Sequence, residues 1–441
     1  MSKIVTLNLA YDKLALNNAS NSPYNRQARE HYVHIDPFYA KQDILVRPNP
    51  QLTHTYTAKK HLLVFYPIHI TCLDRGYTDE DISLMPTYFS SEALSLLQDP
   101  KNKFMLLIDY SMEGWDLEKP LTKQLGLFHT LIDKYKIPPD KIFFIHGNLN
   151  NESSTYDNLP ISRSNICNVN FFEALSSSHL RNTYKHKFTI EEKNYQTVSK
   201  KFVCKNNMMH GHRLFIIDWL NRNNALQDIY WSLADDNYKV RLSGNHDTLI
   251  RYYYNDEHET SLAVERIKKL LENGPVKLDW PSNLKHVGYI SKDVSPQSYI
   301  DSCFSLVTET TFDERNTELT FITEKTFKPI STLHPFLVVG SYKTLDYLKG
   351  LGYHTFPELF DESYDLKSNY KDRMNIIIKN LKKILRTPTR TLAKEFSTHS
   401  INKKLIENQE RLLQVTEDKL HWSNLGKEVG PFIYKLIKKH K

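Results

Sequence analysis

Two adjacent residues of opposite charge, Glu324 and Lys325, follow Thr323 where the sequence marks a helix start. A threonine in that place is a plausible N-cap, because its hydroxyl can accept an amide hydrogen that the first helical turn leaves unpaired. The remaining amides and the positive end of the helix dipole attract phosphate. Lys325 adds a full positive charge, and the Glu324 carboxylate can accept hydrogen bonds from ribose hydroxyls. Glu309 follows the apolar run Phe304–Thr308, and ligands of open parallel sheets sit outside such strand ends. The set fits capture of a nucleotide's sugar and diphosphate. The plainer alternative is a solvated, charged first turn.

Three other residues have types suited to deprotonating a hydroxyl. Asp109 ends the apolar run Phe104–Ile108, and Glu113 lies four residues on, before Gly114. An inverting group transfer needs a base on the acceptor hydroxyl, and a partly buried carboxyl is a common choice. Glu113 is favoured, since Gly114 lets the backbone turn beside it; Asp109 could instead cap the segment that follows. His146, closing the run Lys141–His146, is the competing base, with a structural role as its alternative. Asp79-Glu80-Asp81 has the spacing of a metal-holding DxD pattern, but no strand runs directly into it. Gly244-Asn245-His246-Asp247 lacks partner His and Asp ligands at suitable spacing. No metal site is expected.

The elements that must position these residues alternate along the chain. Strands are predicted at His61–Tyr66, stopped by Pro67, at Phe104–Ile108, at Lys141–His146 and at Ile166–Phe172. Helices are predicted over residues 89–98 and about Leu121–Lys136, the latter broken by Ile137-Pro138-Pro139. After a polar linker, 175–200, a second series runs through strand Lys201–Lys205, helices Arg213–Asn221 and Ser261–Asn273, strand Phe304–Thr308, helix Thr323–Leu333 and strand Phe336–Val339. Strand–helix–strand spacing of this kind predicts parallel sheets covered by helices. The expected fold is α/β: an arm over 1–60, two successive Rossmann-like domains over 61–185 and 198–365, and a helical basic tail over 366–441.

The segment Phe321-Ile322-Thr323-Glu324-Lys325-Thr326-Phe327-Lys328-Pro329-Ile330, with His334-Pro335-Phe336-Leu337-Val338-Val339-Gly340, resembles the donor site of alpha-1,3-fucosyltransferase-like glycosyltransferases. It is also similar to a group of viral and bacterial sugar-transferase-like proteins that share Leu351–Phe356 and Asp361–Asp365. The resemblance implies the two-domain GT-B architecture, with 61–185 as an acceptor domain facing 198–365 as a donor domain across a cleft, a nucleoside-diphosphate sugar as donor, and no metal cofactor. It implies that Glu324 binds the donor sugar and ribose and Lys325 the diphosphate. Lys201–Arg213 resembles the opening of the same family's donor domain, which implies phosphate contacts from Lys205, His212 and Arg213. The chain departs from the family in having Asn206-Asn207 where Arg is common.

Composition narrows the class without choosing the ligand. With 12% aromatic residues and 26 tyrosines against 13 glycines, the composition is neither that of a disordered chain nor that of a collagen-like repeat. The four cysteines, Cys72, Cys167, Cys204 and Cys303, are too far apart for zinc-ligand pairs. The net charge of +7 suits an anionic small ligand, a membrane surface or a nucleic acid. The expected function is metal-independent, inverting transfer of a sugar to a glycan or lipid hydroxyl in a bacterial or virus-infected cytoplasm. The basic tail could touch a membrane, and no nucleic-acid partner is expected. The rival reading is a catalytically silent sugar- or nucleic-acid-binding protein. No secretory signal is visible in the first twenty residues, and no apolar run is long enough to span a membrane.

Overall fold

The computed structural model describes residues 8–9, 64–69, 91–101, 104–110, 128–150, 156–157, 159–168, 170–178, 180–181, 188–191, 197–235, 242, 250, 253–254, 256–278, 296–312 and 319–417. By its internal contacts the chain divides into two compact units, Met1–Phe171 with Thr416–Lys441, and Phe172–Val415. Each carries a parallel sheet, so the protein is mixed α/β.

The first unit contains β1 (Asn8–Leu9), β2 (Val64–His69), α1 (Ser91–Gln98), β3 (Phe104–Tyr110), a π-helical turn (Thr130–Lys134), β4 (Ile142–His146) and β5 (Ile166–Asn168). The strands pair in sequential order, all parallel. Every residue of β4 is buried, which is why its sequence is continuously apolar rather than alternating. Phe104, Leu106 and Ile108 from β3 join Ile142 and Phe144 in a core closed by Phe128 and Leu131. The Phe128 and Phe144 rings meet edge-on at 5.4 Å. Lys141, buried at the entry to β4, donates from Nζ to the carbonyls of Leu96 and Asp99 at 2.7 and 2.6 Å. It thereby satisfies carbonyls at the end of α1. Burial lowers the Lys141 pKa to about 8, against the opposing pull of Asp99 and Asp140.

Several boundaries differ from the sequence reading. The strand expected over Ile166–Phe172 ends at Asn168, and Phe171 and Phe172 open a helix instead. Strand β2 runs through Pro67 rather than stopping there. Among the described residues β1 pairs only with Val64 and Phe65. Pro67 stands in register with Leu107 of β3, so the strand continues through a residue that has no amide hydrogen to donate. Within residues 128–136 the helix closes as a π turn, with the Tyr135 amide bonded to the Thr130 carbonyl and Lys136 at φ 54°. Pro138 follows and cannot continue it.

The second unit begins in α2 (Phe171–Ser178). It continues through β6 (Lys200–Cys204), α3 (Gly211–Arg222), β7 (Tyr230–Trp231), α4 (Glu257–Leu270), α5 (Pro296–Ile300), β8 (Ser302–Thr308), α6 (Glu324–Ser331), β9 (Phe336–Val339) and α7 (Thr344–Gly350). Helices α8 (Tyr370–Arg386), α9 (Thr389–Phe396) and α10 (His399–Glu417) complete it. The strand order is β7-β6-β8-β9, all parallel. The chain steps from β6 to β7 on one side, then crosses back over β6 to reach β8. The strand order thus reverses between β6 and β8, and it is outside such reversals that open α/β sheets bind ligands.

Residues 370–415 belong to this second unit rather than standing apart as a tail. Phe396 of α9 stacks on Phe304 of β8 at 5.4 Å, and buried Lys201 donates to the Ile384 and Leu385 carbonyls at the end of α8. Part of the expected linker is also structured. Ser177 in α2 donates to the Leu412 carbonyl at 2.6 Å, and Phe188 packs edge-on against Tyr299. Residues 418–441 and the N-terminal arm, apart from Asn8 and Leu9, lie outside the described residues. Among the described residues no helix is long and apolar enough to cross a membrane.

Phe304 is wholly buried, with Phe202, Phe360 and Phe396 ring centres at 5.0, 5.2 and 5.4 Å. Removing it leaves a cavity that three rings cannot collapse to fill. Phe304→Ala is expected to cost about 3–5 kcal/mol of unfolding free energy in chemical denaturation, and Phe304→Leu clearly less.

Candidate functional site

Asn206 and Thr308 join the ends of β6 and β8 at the reversal point. The Thr308 hydroxyl donates to Asn206 Oδ1 at 2.6 Å, and both side chains are buried. Glu309, the next residue, is completely buried. Its Oε1 accepts from the Thr323 amide at 3.1 Å and the Thr326 hydroxyl at 2.5 Å. Its Oε2 accepts from the Thr323 hydroxyl at 2.6 Å and the Thr310 amide at 3.3 Å. A buried carboxylate is tolerable only when its lone pairs are used in this way. Two of the donors belong to Thr323, the N-cap of α6, and a third lies one turn further on, so Glu309 fixes where that helix starts.

The Glu309 carbonyl is equally occupied. It accepts from His212 Nε2 at 2.9 Å and from Arg213 Nη2 at 2.9 Å. A carbonyl can only accept, so His212 carries its hydrogen on Nε2 and keeps a lone pair on Nδ1. That nitrogen has no hydrogen-bond partner among the described residues. Burial, helped by the Arg213 charge, lowers the His212 pKa to about 3, so the ring is neutral near pH 7. Arg213 is also buried; Nη1 donates to the Met208 carbonyl at 3.1 Å and Nη2 also reaches the Thr308 carbonyl at 3.0 Å. Burial lowers its pKa to about 10, opposed by Glu309 and Glu324, and it remains a cation. The guanidinium fork expected to grip phosphate is turned inward onto backbone carbonyls. Its Nε is buried without an acceptor among the described residues.

At the start of α6, Thr323 has an extended backbone and its hydroxyl accepts from the Lys325 amide at 3.3 Å, the geometry of an N-cap. The Lys325 Nζ donates to the hydroxyls of Thr323 at 3.1 Å and Thr310 at 3.3 Å, and to Glu324 Oε1 at 3.0 Å. The two side chains are 24% and 18% exposed, so unlike Arg213 they meet solvent. Burial raises the Glu324 pKa, but the charges of Lys325 and Lys328 outweigh it and hold the group at about 2. Lys205 places its ammonium 4.5 Å from the centre of the Tyr299 ring, a cation–π contact.

In the first unit, buried His146 stands at the end of β4. Its Nδ1 accepts from the Asn148 amide at 3.0 Å, which leaves the hydrogen on Nε2, and Tyr156 Oη lies 3.1 Å from the same nitrogen. Asn168 at the end of β5 donates to that phenol at 2.7 Å. Burial lowers the His146 pKa to about 3. The lone pair a base would use is thus already engaged. Asp109 is the sixth residue of β3, paired in register with His69 and Ile145. Glu113, Asp79-Glu80-Asp81 and Gly244–Asp247 lie outside the described residues. Among the described residues no three His, Cys, Asp or Glu side chains are grouped to hold a metal ion. Cys167, Cys204 and Cys303 are buried free thiols.

The structure therefore brings together His212, Arg213, Glu309, Glu324 and Lys325. It adds Thr308, Thr310 and Thr326, which the sequence reading did not single out, and Asn206, which it noted only as a departure from the family pattern. The one available signal was the repeat Thr323-x-x-Thr326, which puts two hydroxyls a turn apart on one helix face. No protein-family model, curated protein or solved structure matches the chain.

The neutral, buried histidines make the fold acid-sensitive. Unfolded histidine takes up a proton near pH 6.5, whereas His212 and His146 do so only near pH 3. The unfolded state binds more protons in that interval, so stability falls as pH drops from about 6.5 towards 3. His212→Gln is expected to flatten the slope of unfolding free energy against pH in that window. An unchanged slope in denaturation at pH 7, 6, 5 and 4 would mean that His212 takes up its proton at the same pH in the folded and unfolded protein.

Proposed function

We propose that this protein is a glycosyltransferase of the GT-B type that takes a nucleoside-diphosphate sugar as donor and needs no metal ion. The observation that carries the reading is the coincidence of three things: the reversal point of the second sheet, the N-terminus of α6, and the partly exposed Glu324–Lys325 pair. An open α/β sheet favours ligand binding at that point. A helix start and an ammonium favour phosphate there, and a carboxylate favours ribose hydroxyls.

In this reading Lys325 and the α6 amides hold the diphosphate and stabilise it as it leaves. Glu324 takes the ribose and donor sugar. Arg213 contributes its buried charge through space, and Glu309 holds the α6 start rigid. Lys205 and His212 complete the donor side. The first unit supplies the acceptor site for a glycan or lipid hydroxyl. Glu113 is the base, with Asp109 as the nearest alternative. His146, whose lone pair is engaged, is the weaker choice.

Calorimetry with ADP, GDP, UDP and CDP tests the donor half. At least one is expected to bind, and Lys325→Ala to weaken it by about 1.5–3 kcal/mol, the worth of a charged hydrogen bond. Binding of none, alongside binding of an oligonucleotide, would end this reading in favour of a nucleic-acid protein.

The base is tested by turnover. Glu113→Gln keeps the shape and removes the basicity, so kcat is expected to drop about 10²–10⁴-fold with nucleotide affinity retained. His146→Asn is expected to keep far more activity. The reverse pattern would move the base to the end of β4.

A further inference from the structure

Glu324 and Lys325 are neighbours in sequence, and residues one apart do not face each other along a helix. Their 3.0 Å contact exists because Lys325 folds back over the helix start to reach Thr323 and Thr310. An ammonium has three hydrogens. Three acceptors occupy them here, so an incoming phosphate oxygen must displace one.

The three acceptors are not equally free to leave. The Thr323 hydroxyl is anchored by its donation to Glu309 and by capping the Lys325 amide. Thr310 is anchored through its amide on Glu309. Glu324 is partly exposed, and beyond its own backbone amide Lys325 is its hydrogen-bond partner among the described residues. It is the movable acceptor, and the only one with a charge.

We propose that Glu324 is an internal competitor for Lys325 that gives way only to a ligand carrying both a diphosphate and vicinal hydroxyls. The inference rests on the donor-site reading above and adds a means of discrimination. Inorganic phosphate or pyrophosphate would have to evict the carboxylate and leave it only its own backbone amide and the charge of Lys328. A nucleoside diphosphate offers ribose hydroxyls that donate to the released carboxylate while its phosphates take the ammonium. The site thus selects against the free phosphates abundant in any cell. The depressed pKa of Glu324 is consistent with a carboxylate that stays charged while it waits.

The test compares inorganic pyrophosphate with whichever of ADP, GDP, UDP or CDP binds best, by calorimetry on the full chain. Glu324→Gln removes the competitor, and Glu324→Asp keeps the charge but shortens its reach to Nζ. Both are expected to raise pyrophosphate affinity by about two- to fivefold, the range of a partly exposed ion pair. Both are expected to lower the preference for the nucleotide over pyrophosphate by about tenfold or more, since a charged hydrogen bond to ribose is lost. A gain in Glu324→Gln that is absent in Glu324→Asp reduces the effect to net charge and overturns the proposal. So does an unchanged or weakened pyrophosphate affinity, or a preference that stays intact. In each of those cases nucleotide binding by the unaltered protein still stands and the donor site survives. If the unaltered protein binds no nucleotide, the donor-site reading fails and this inference with it.

Discussion

The buried carboxylate of Glu309 is the interaction on which the second unit's site depends. A carboxylate removed from water must recover its lost hydration from fixed donors, and those donors must then stay put. Here they are the amides of Thr310 and Thr323 and the hydroxyls of Thr323 and Thr326. Satisfying one charge therefore fixes the loop after β8 and the first turn of α6. The residue's carbonyl extends the constraint to α3 through His212 and Arg213. Three elements that converge on the reversal between β6 and β8 are tied to a single residue.

The same arrangement separates charges that act through contact from charges that act at a distance. Arg213 is a cation whose donors are largely spent on carbonyls, so its positive charge is present at the site without the side chain being offered to a ligand. His212 beside it is neutral, because burial and the Arg213 charge both oppose protonation. Lys325 and Glu324 are the charges that reach solvent. A preorganised site needs this division: groups that touch a ligand are oriented by groups that do not.

The first unit shows the same economy at the end of its own sheet. His146, Tyr156 and Asn168 bond to one another at the ends of β4 and β5, and the Asn148 amide holds the His146 tautomer. Arg163 lies over the Tyr156 ring at 4.1 Å. Such a polar network, with the His146 lone pair already engaged, gives a strand end a defined shape rather than a reactive one.

The sequence by itself determined the α/β class. The apolar runs Phe104–Ile108, Lys141–His146 and Phe304–Thr308 are too continuous for strands with one wet face, and buried parallel strands are their natural form. It also determined the start of α6, because Thr323 is a local cap whose effect needs no distant partner. The locally encoded charges of Glu324 and Lys325 were legible for the same reason. What only the tertiary structure decided was which polar residues face inward. Arg213 and Lys325 look alike in sequence as basic residues beside a helix start, yet one is buried on carbonyls from β8 and the other is partly exposed. Glu309 looked like a ligand contact and is instead filled by donors up to seventeen residues away. The strand order that makes the β6–β8 reversal a candidate site was equally out of reach. Strand order, burial and the spending of hydrogen bonds depend on partners far along the chain, and no local pattern records them.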